Sequence, residues 1–536
     1  MTHLKRKALA AVCAGAILTG LTTGCSNPSS SSPSPSSSNI SAPAGSSSTA
    51  ASSGTDAGNV NTSSSEEPFP ITILAQTFAT EMQKPDSPVW KKIEEYTNTK
   101  LDITWKPSAG FDENINILVA SNDLPMVTAV RDNKAPVIVQ AVNGGVFWEI
   151  KDEYLQQYPN LSKMNKDVAN NVSYDGKIYS LYKSADLARS GWHYRKDWLD
   201  KLGMSEPTTL DELYDVIHAF TFNDPDGNGK DDTFGLAMAA DIAVKLEFHS
   251  MVVAMGGGNE WEADGNGGVQ PTFMTQPYID AMDFFRKIYA EKAMNQDYPS
   301  ASKNNIYEYW SSGQCGMFYM SMYDSYGQSV QNIKKTIPEA ENDFFSLIKS
   351  KIDGSYRCYP TSGWKGMYMM SKKAVKSEDN LMKILGFFDK MEDQAMQELT
   401  GYGVEGDHFT VKSDGTVDLI NREDFSTVCG DFGQLQLNWS DNKRPANYEY
   451  LQKKVLDSIA ANEPYAIPNV VNPFISETQS SLGGTLDQMI YDARDKYIIG
   501  ALDLDGFNAV VAQWRAQGGD NIIKEYSDAY KAAGGK

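Results

Sequence analysis

The sequence predicts an α/β architecture large enough for two lobes. Three observations lead there. The 536 residues are enough for two to four domains or one large bilobed unit. The hydrophobic fraction of 41% and the charged fraction of 22% are ordinary for a chain with a sizeable core. The first regular stretch after residue 66 alternates strand, helix and strand, which implies a parallel sheet with a right-handed crossover.

In chain order, Pro70 precedes Ile71-Thr72-Ile73-Leu74, a short β run. Val89 to Tyr96 carries helical spacing, and Asn98 ends it. Leu101-Asp102-Ile103-Thr104-Trp105 alternates as a second strand, residues 114–120 read as helix, and 126–130 as a third strand. Tyr174-Asp175-Gly176-Lys177 is a turn that feeds the aromatic strand 178–182. Thr208 or Thr209 caps the next helix, and Glu212 completes a capping box if Thr209 is the cap. Long helices are expected over 278–293, 380–398 and 506–533, the last interrupted at Gly518-Gly519. Trp198, four residues after Tyr194, is expected in the core.

The start of the chain reads as an address. Lys5, Arg6 and Lys7 precede an apolar run over 8–18 that is too short to span a bilayer. Leu21-Thr22-Thr23-Gly24-Cys25 resembles a bacterial lipobox, with residues 1–24 as signal peptide and Cys25 as the acylated residue. Its two acyl chains are enough for stable attachment to a bilayer, at about 0.8 kcal/mol per buried methylene. Residues 25–67 form a Ser-rich tether with too little apolar bulk to order itself, spanning on the order of 35 Å as a coil. The formal charge of −21 offers no basic footprint for a phosphate backbone and excludes a nucleic-acid binder. Cys315, Cys358 and Cys429 show no metal or redox spacing and are expected as small buried hydrophobes. The five His are scattered, and no GxSxG, HExxH or P-loop pattern occurs, so no catalytic function is expected. The rival classes are a cell-surface carbohydrate-active enzyme and a glycan-binding adhesin.

The order lipobox, Ser-rich tether, strand-helix-strand, YDGKIYSL, YRKDWLDKLG with PTTLDEL, DPDGNGKDDTFGL, SGQCGMFYMSMYD and FNAVVAQWRAQGGDNIIKEYSDAY resembles the bacterial extracellular solute-binding proteins of family 1, in the large Gram-positive lipoprotein branch. The resemblance implies two α/β lobes joined by hinge strands, a cleft between them, and an ABC importer whose permease subunits receive the cargo. It implies a carbohydrate ligand, here an oligosaccharide, and a monomer held on the outer face of the cell membrane by the lipid on Cys25. The lobes are expected as 68–185 with 360–400, and 186–359 with 401–536.

A sugar needs aromatic platforms for its C–H face and planar polar groups for its hydroxyl rim. The candidates are Trp192 and Tyr194 after the first crossing, Trp310 before the Gly313 turn, Asp324 after the GMFY strand, Trp364 between glycines, and Tyr402 and Glu405 in a Gly-rich turn. Phe78 and Glu81 join them, because strand C-terminal ends face the crevice in α/β sheets. A strongly anionic glycan is disfavoured by the global charge unless a local cation such as Arg195 or Arg286 overrides it.

Asp224, Asp226 and Asn228, the Lys230 carbonyl and Asp232 place hard oxygens at every second residue, with Gly229 at the sixth position. This is the first part of an EF-hand-like loop, and a structural Ca²⁺ is expected there. Gly235 stands where the twelfth-position Glu belongs, and Thr233 stands where related loops often carry Glu, so a full EF-hand is excluded.

Overall fold

The computed structural model describes residues 67–78, 82–85, 87–240 and 245–535; the leader, Cys25, nearly all of the Ser-rich segment and Glu81 fall outside them. The first sheet is built from β1 (Phe69–Thr77), β2 (Thr99–Pro107), β3 (Val127–Val130), β4 (Ser180–Ser184) and, from far along the chain, a strand over Trp364–Met370. The second takes β5 (Ser190–Arg195), β6 (Phe234–Leu236), β7 (Cys315–Ser321) and β8 (Asn342–Phe345), which makes Trp364–Met370 strand β9.

In the first sheet the order is β2-β1-β3-β9-β4. β1 runs parallel to β2, Phe69 opposite Thr99 through to Thr77 opposite Pro107, and parallel to β3. β9 enters antiparallel between β3 and β4, so the sheet is mixed. Helix Pro88–Thr97 starts at Ser87, whose side chain accepts from Trp90 N, and stops at Asn98 with φ 54°. Its apolar face puts Val89, Trp90 and Ile93 into the first core, each contributing about 1.5–3 kcal/mol by burial.

The second sheet has the order β8-β5-β7-β6. Helix Leu210–Phe222 packs beside it and carries the predicted capping box of Thr209 and Glu212. Gly235 explains the missing twelfth-position Glu. A Cβ there would lie 2.0 Å from the Ile217 carbonyl oxygen, because β6 runs directly under that helix. Trp198, Trp310, Tyr278, Phe248 and Phe285 fill this second core.

The lobe boundaries need one correction. Phe425, Cys429, Phe432, Leu435, Leu437 and Trp439 belong to the first core, so the chain stays with the first sheet beyond residue 401. The predicted helix over 380–398 is two helices, Glu378–Met391 and Gln394–Gly401. The C-terminal helices Leu504–Trp514 and Asp520–Ala532 are joined by a wide turn in which Gly518 takes φ 138°. Cys315, Cys358 and Cys429 are buried free thiols. Among the described residues no helix is long and apolar enough to cross a membrane.

Candidate ligand-binding cleft

The chain first passes from one sheet to the other over residues 184–189. Ser184 N donates to Leu437 O at 2.7 Å and Ala185 N to Gly363 O at 3.0 Å, which ties this crossing to the first lobe. Met322 N donates to Arg189 O at 2.8 Å, and Asn462 Nδ2 to Ala188 O at 3.1 Å, which ties it to the second. The return crossing lies alongside: Thr361 N donates to Leu187 O at 2.7 Å and its hydroxyl to Asp186 O at 3.0 Å. Two hollows open along this seam.

The hinge hollow, about 620 Å³, is lined from both lobes by Asp186, Arg189, Tyr323, Lys365, Trp439 and Glu463, among others. Tyr323 donates its hydroxyl to Asp186 Oδ2 at 2.8 Å. Trp439 is held by a bond from Nε1 to Tyr182 O at 2.8 Å, and it leans on the Tyr182 ring.

The second hollow, about 390 Å³, is aromatic and acidic. Asp132 and Lys134, just beyond β3, face Glu260, Trp261, Phe273, Asp487 and Tyr491 of the second lobe. Glu260 sits at φ 60°, a backbone region that non-glycine residues occupy only when the surroundings hold them there. Here the Tyr359 hydroxyl donates to Glu260 Oε1 at 3.0 Å, and Thr272 N donates to the Glu260 carbonyl at 2.8 Å. Burial, then the charges of Asp487 and Glu260, push the Tyr491 hydroxyl well above its ordinary value, so it stays a donor. Lys134 is half-buried, and its Nζ donates to Asn472 O at 2.6 Å and Phe474 O at 3.0 Å; desolvation of the ammonium lowers it to about 8. Rings at the walls and carboxylates between them match a polyhydroxylated ring compound: C–H faces stack and hydroxyls donate.

The sequence candidates divide sharply. Phe78 stands at the C-terminal end of β1 with its ring 66% exposed, as a platform requires. Trp364 opens β9, half-buried on the first core, and its neighbours Gly363 and Lys365 line the hinge hollow. Asp324 accepts from the Tyr307 hydroxyl at 2.8 Å, while the adjacent Tyr323 takes the place on the hollow. Trp192, Tyr194 and Trp310 are corrected to core residues. Trp192 lies on β5 against Tyr319 and Phe345. Tyr194 is buried beside it with its hydroxyl on Glu206. Trp310 is wholly buried with Nε1 on Val330 O at 3.0 Å. Alternation marks which face of a strand is apolar but not that both faces of β5 are covered. Tyr402 and Glu405 also leave the site. Tyr402 packs on Phe409 in a small separate cluster and bonds Arg444 O, and Glu405 pairs with Arg444 at 3.5 Å. Arg195 is buried on Asp197, and Arg286 donates to Leu502 O, so neither supplies a cation to the seam. Asp132, Lys134, Glu260, Trp261, Asp487 and Tyr491 had no sequence signal beyond residue type, because tertiary folding alone brings them together.

In the acidic loop, Asn228 Nδ2 reaches Asp226 Oδ2 at 2.7 Å and Asp232 Oδ1 at 3.1 Å, while Gly229 N donates to Asp224 Oδ2 at 3.2 Å. Gly227 and Gly229 take φ 76° and 74° to make the turn. Lys201 Nζ closes one side on Pro225 O at 2.9 Å. Among the described residues no three His, Cys, Asp or Glu side chains converge as a metal cage. The carboxylates of Asp226 and Asp232 meet at the Asn228 amide nitrogen, while Asn228 Oδ1 accepts from Lys230 N at 2.8 Å; the loop's residue types supply oxygen donors of the kind Ca²⁺ takes.

Comparison with known proteins decides the family. The profile of bacterial extracellular solute-binding proteins matches residues 79–398. This chain is a bacterial extracellular solute-binding protein. It is 36% identical over 461 residues to the polygalacturonan/rhamnogalacturonan-binding protein YtcQ of Bacillus subtilis (strain 168), covering 84% of this chain and 89% of that one. It is 31% identical over 481 residues to lipoprotein LipO of the same organism, covering 88% and 94%. Among solved structures, a solute-binding protein from Bifidobacterium longum infantis described as binding HMO superposes with a TM-score of 0.66 at 16% identity, covering 88% of this chain and all of that one. The two-lobed solute-binding fold accounts for the paired sheets and the crossings between them. As a solute-binding protein the chain is built to hold a ligand between lobes that hinge at those crossings.

Proposed function

We propose that this solute-binding protein is the lipid-anchored extracellular receptor of an ABC importer, and that it captures an oligosaccharide in the cleft and delivers it unchanged to the permease. The aromatic and acidic hollow carries this reading: Trp261, Phe273 and Tyr491 stand around Glu260, Asp487 and Asp132, with groups from both lobes. The names of YtcQ and of the Bifidobacterium protein, both carbohydrate binders, support the ligand class. Anchoring through Cys25 is supported by the lipobox and by the lipoprotein relative LipO. The acidic loop holds a structural Ca²⁺ through Asp224, Asp226, Asn228, the Lys230 carbonyl and Asp232, remote from the cargo.

The test is thermal unfolding and calorimetric titration of the protein against neutral and acidic oligosaccharides, with recovered ligand checked by mass. A cargo at a hundred times its dissociation constant adds about 2.7 kcal/mol of stability. Trp261→Ala and Glu260→Gln should each weaken binding by about tenfold or more. Recovery of a shortened ligand would move the protein to the carbohydrate-active enzymes. A flat response to every saccharide would remove carbohydrate as the cargo.

A further inference from the structure

The hinge hollow differs in charge from its aromatic neighbour. Arg189, from the first crossing, and Lys365, near the start of β9, line it. Lys183, the last residue but one of β4, lies beneath, only 6% exposed, with its Nζ on Gln434 Oε1 at 3.1 Å and 5.6 Å over the Tyr368 ring. Gly366, at φ 104°, leaves room for that lysine, since a Cβ there would lie 3.3 Å from Lys183 Cε. Three cations, from β4, the first crossing and the start of β9, thus gather at the hinge of a chain whose net charge is −21.

Their counter-charges are incomplete. Of the acids around the hollow, Asp441 is paired with Lys443, Asp186 is engaged by the Tyr323 hydroxyl, and Glu463 stands exposed on the opposite wall. Among the described residues neither Arg189 nor Lys365 has a carboxylate within ion-pair distance. Arg189 repels Lys365, and the charge of Asp186 outweighs that repulsion without forming an ion pair; burial still leaves Lys365 below its ordinary value. Burial, then the charge of Lys365, lowers Lys183 to about 8. Like charges gathered in a partly enclosed site are stabilised by an anion placed among them.

We infer that Arg189 and Lys365, backed by Lys183, form a carboxylate-reading subsite at the hinge, and that the cargo is an acidic oligosaccharide carrying a uronic acid. This rests on the receptor reading above and names its substrate class. A planar carboxylate accepts two parallel bonds from a guanidinium, and the lysine supplies a point charge beside it. Because Arg189 sits on the first crossing and Lys365 at the start of β9, just after the return crossing, a carboxylate bound there also draws those segments together, which favours the closed arrangement.

The test measures affinities of the full-length protein for trigalacturonate and trimannuronate, for the methyl ester of each, and for maltotriose as a neutral reference. At least one uronate should bind more than tenfold tighter than its ester, and that affinity should fall between 50 and 500 mM NaCl. Arg189→Gln and Lys365→Gln should each bring the acid-to-ester ratio close to one, and Lys365→Arg should restore it in part. The ratio is internal to each variant, and thermal unfolding without ligand shows that each is folded. Esters binding as well as acids, or a ratio that survives both glutamine variants, would overturn the inference. Binding of maltotriose alone would overturn it and leave the receptor reading standing. Binding of no saccharide would remove carbohydrate as the cargo, and this inference with it.

Discussion

Glu247 and Glu392 are both buried glutamates, yet the same substitution should move the protein in opposite directions. Glu392 Oε1 accepts from the backbone N–H groups of Leu437 and Asn438 at 2.9 and 3.0 Å, and Oε2 from Trp439 N at 2.9 Å. A glutamine there turns an NH₂ towards one of those donors, so Glu392→Gln should destabilise by on the order of 2 kcal/mol in denaturant unfolding. Glu247 is fully buried, and among the described residues neither of its oxygens has a hydrogen-bond partner. Burial raises it well above the ordinary carboxylate range. Folding therefore takes up a proton once the pH passes the unfolded value, and stability is lost as pH rises from there towards the folded value. Glu247→Gln removes that loss. Its melting temperature should exceed that of the parent by a margin that grows from pH 5 to pH 8; a margin independent of pH would contradict the buried-acid account. Neither role could be read from the sequence, where both residues look like ordinary helix-surface glutamates.

Elements were legible where local chemistry alone decides them. The Asn98 stop, the Thr209 capping box and the break at Gly518 all appear where the residue types require. The helix expected over 380–398 failed for a non-local reason: Glu392 leaves the helical run to receive backbone donors from 437–440, and Asp393 starts a second helix. The hinge cations carry no local signal, because Arg189 on the first crossing and Lys365 on β9 are far apart in sequence, whereas Trp364 stands between Gly363 and Gly366. Chelation should lower the melting temperature, and added Ca²⁺ should restore it, because metal bound only by the folded acidic loop adds to stability. Gly227→Ala should reduce that Ca²⁺-dependent increment, since a side chain at φ 76° is strained and would collide with Lys201 Nζ. An identical melting curve with and without chelator would dismiss the ion.

For the whole molecule, Lys134 makes a polar contact between the lobes outside the crossings. It leaves the first sheet just after β3 and places its Nζ on the carbonyls of Asn472 and Phe474, and Phe474 packs into the cluster around Trp514 and Tyr526. Those carbonyls lie immediately before helix Glu477–Ile498, which lines the aromatic hollow. The lysine thus fastens the second lobe across the mouth of the site, and the lobes are held together by polar bonds that ligand can supplement. Lys134→Met keeps the stem and removes both bonds. The ligand-free variant should show a larger radius of gyration in small-angle scattering, and its cargo should dissociate faster, with about tenfold weaker affinity. The pH dependence is separable. Desolvation of the ammonium depresses Lys134 to about 8, so its charged form weakens the fold below its unfolded value. The stability of the parent relative to Lys134→Met should therefore rise with pH from about 8 to about 10.4 and level off above that. An unchanged radius with unchanged affinity would mean that the crossings alone set the closed arrangement. A larger radius with unchanged affinity would mean that closure is not what holds the cargo.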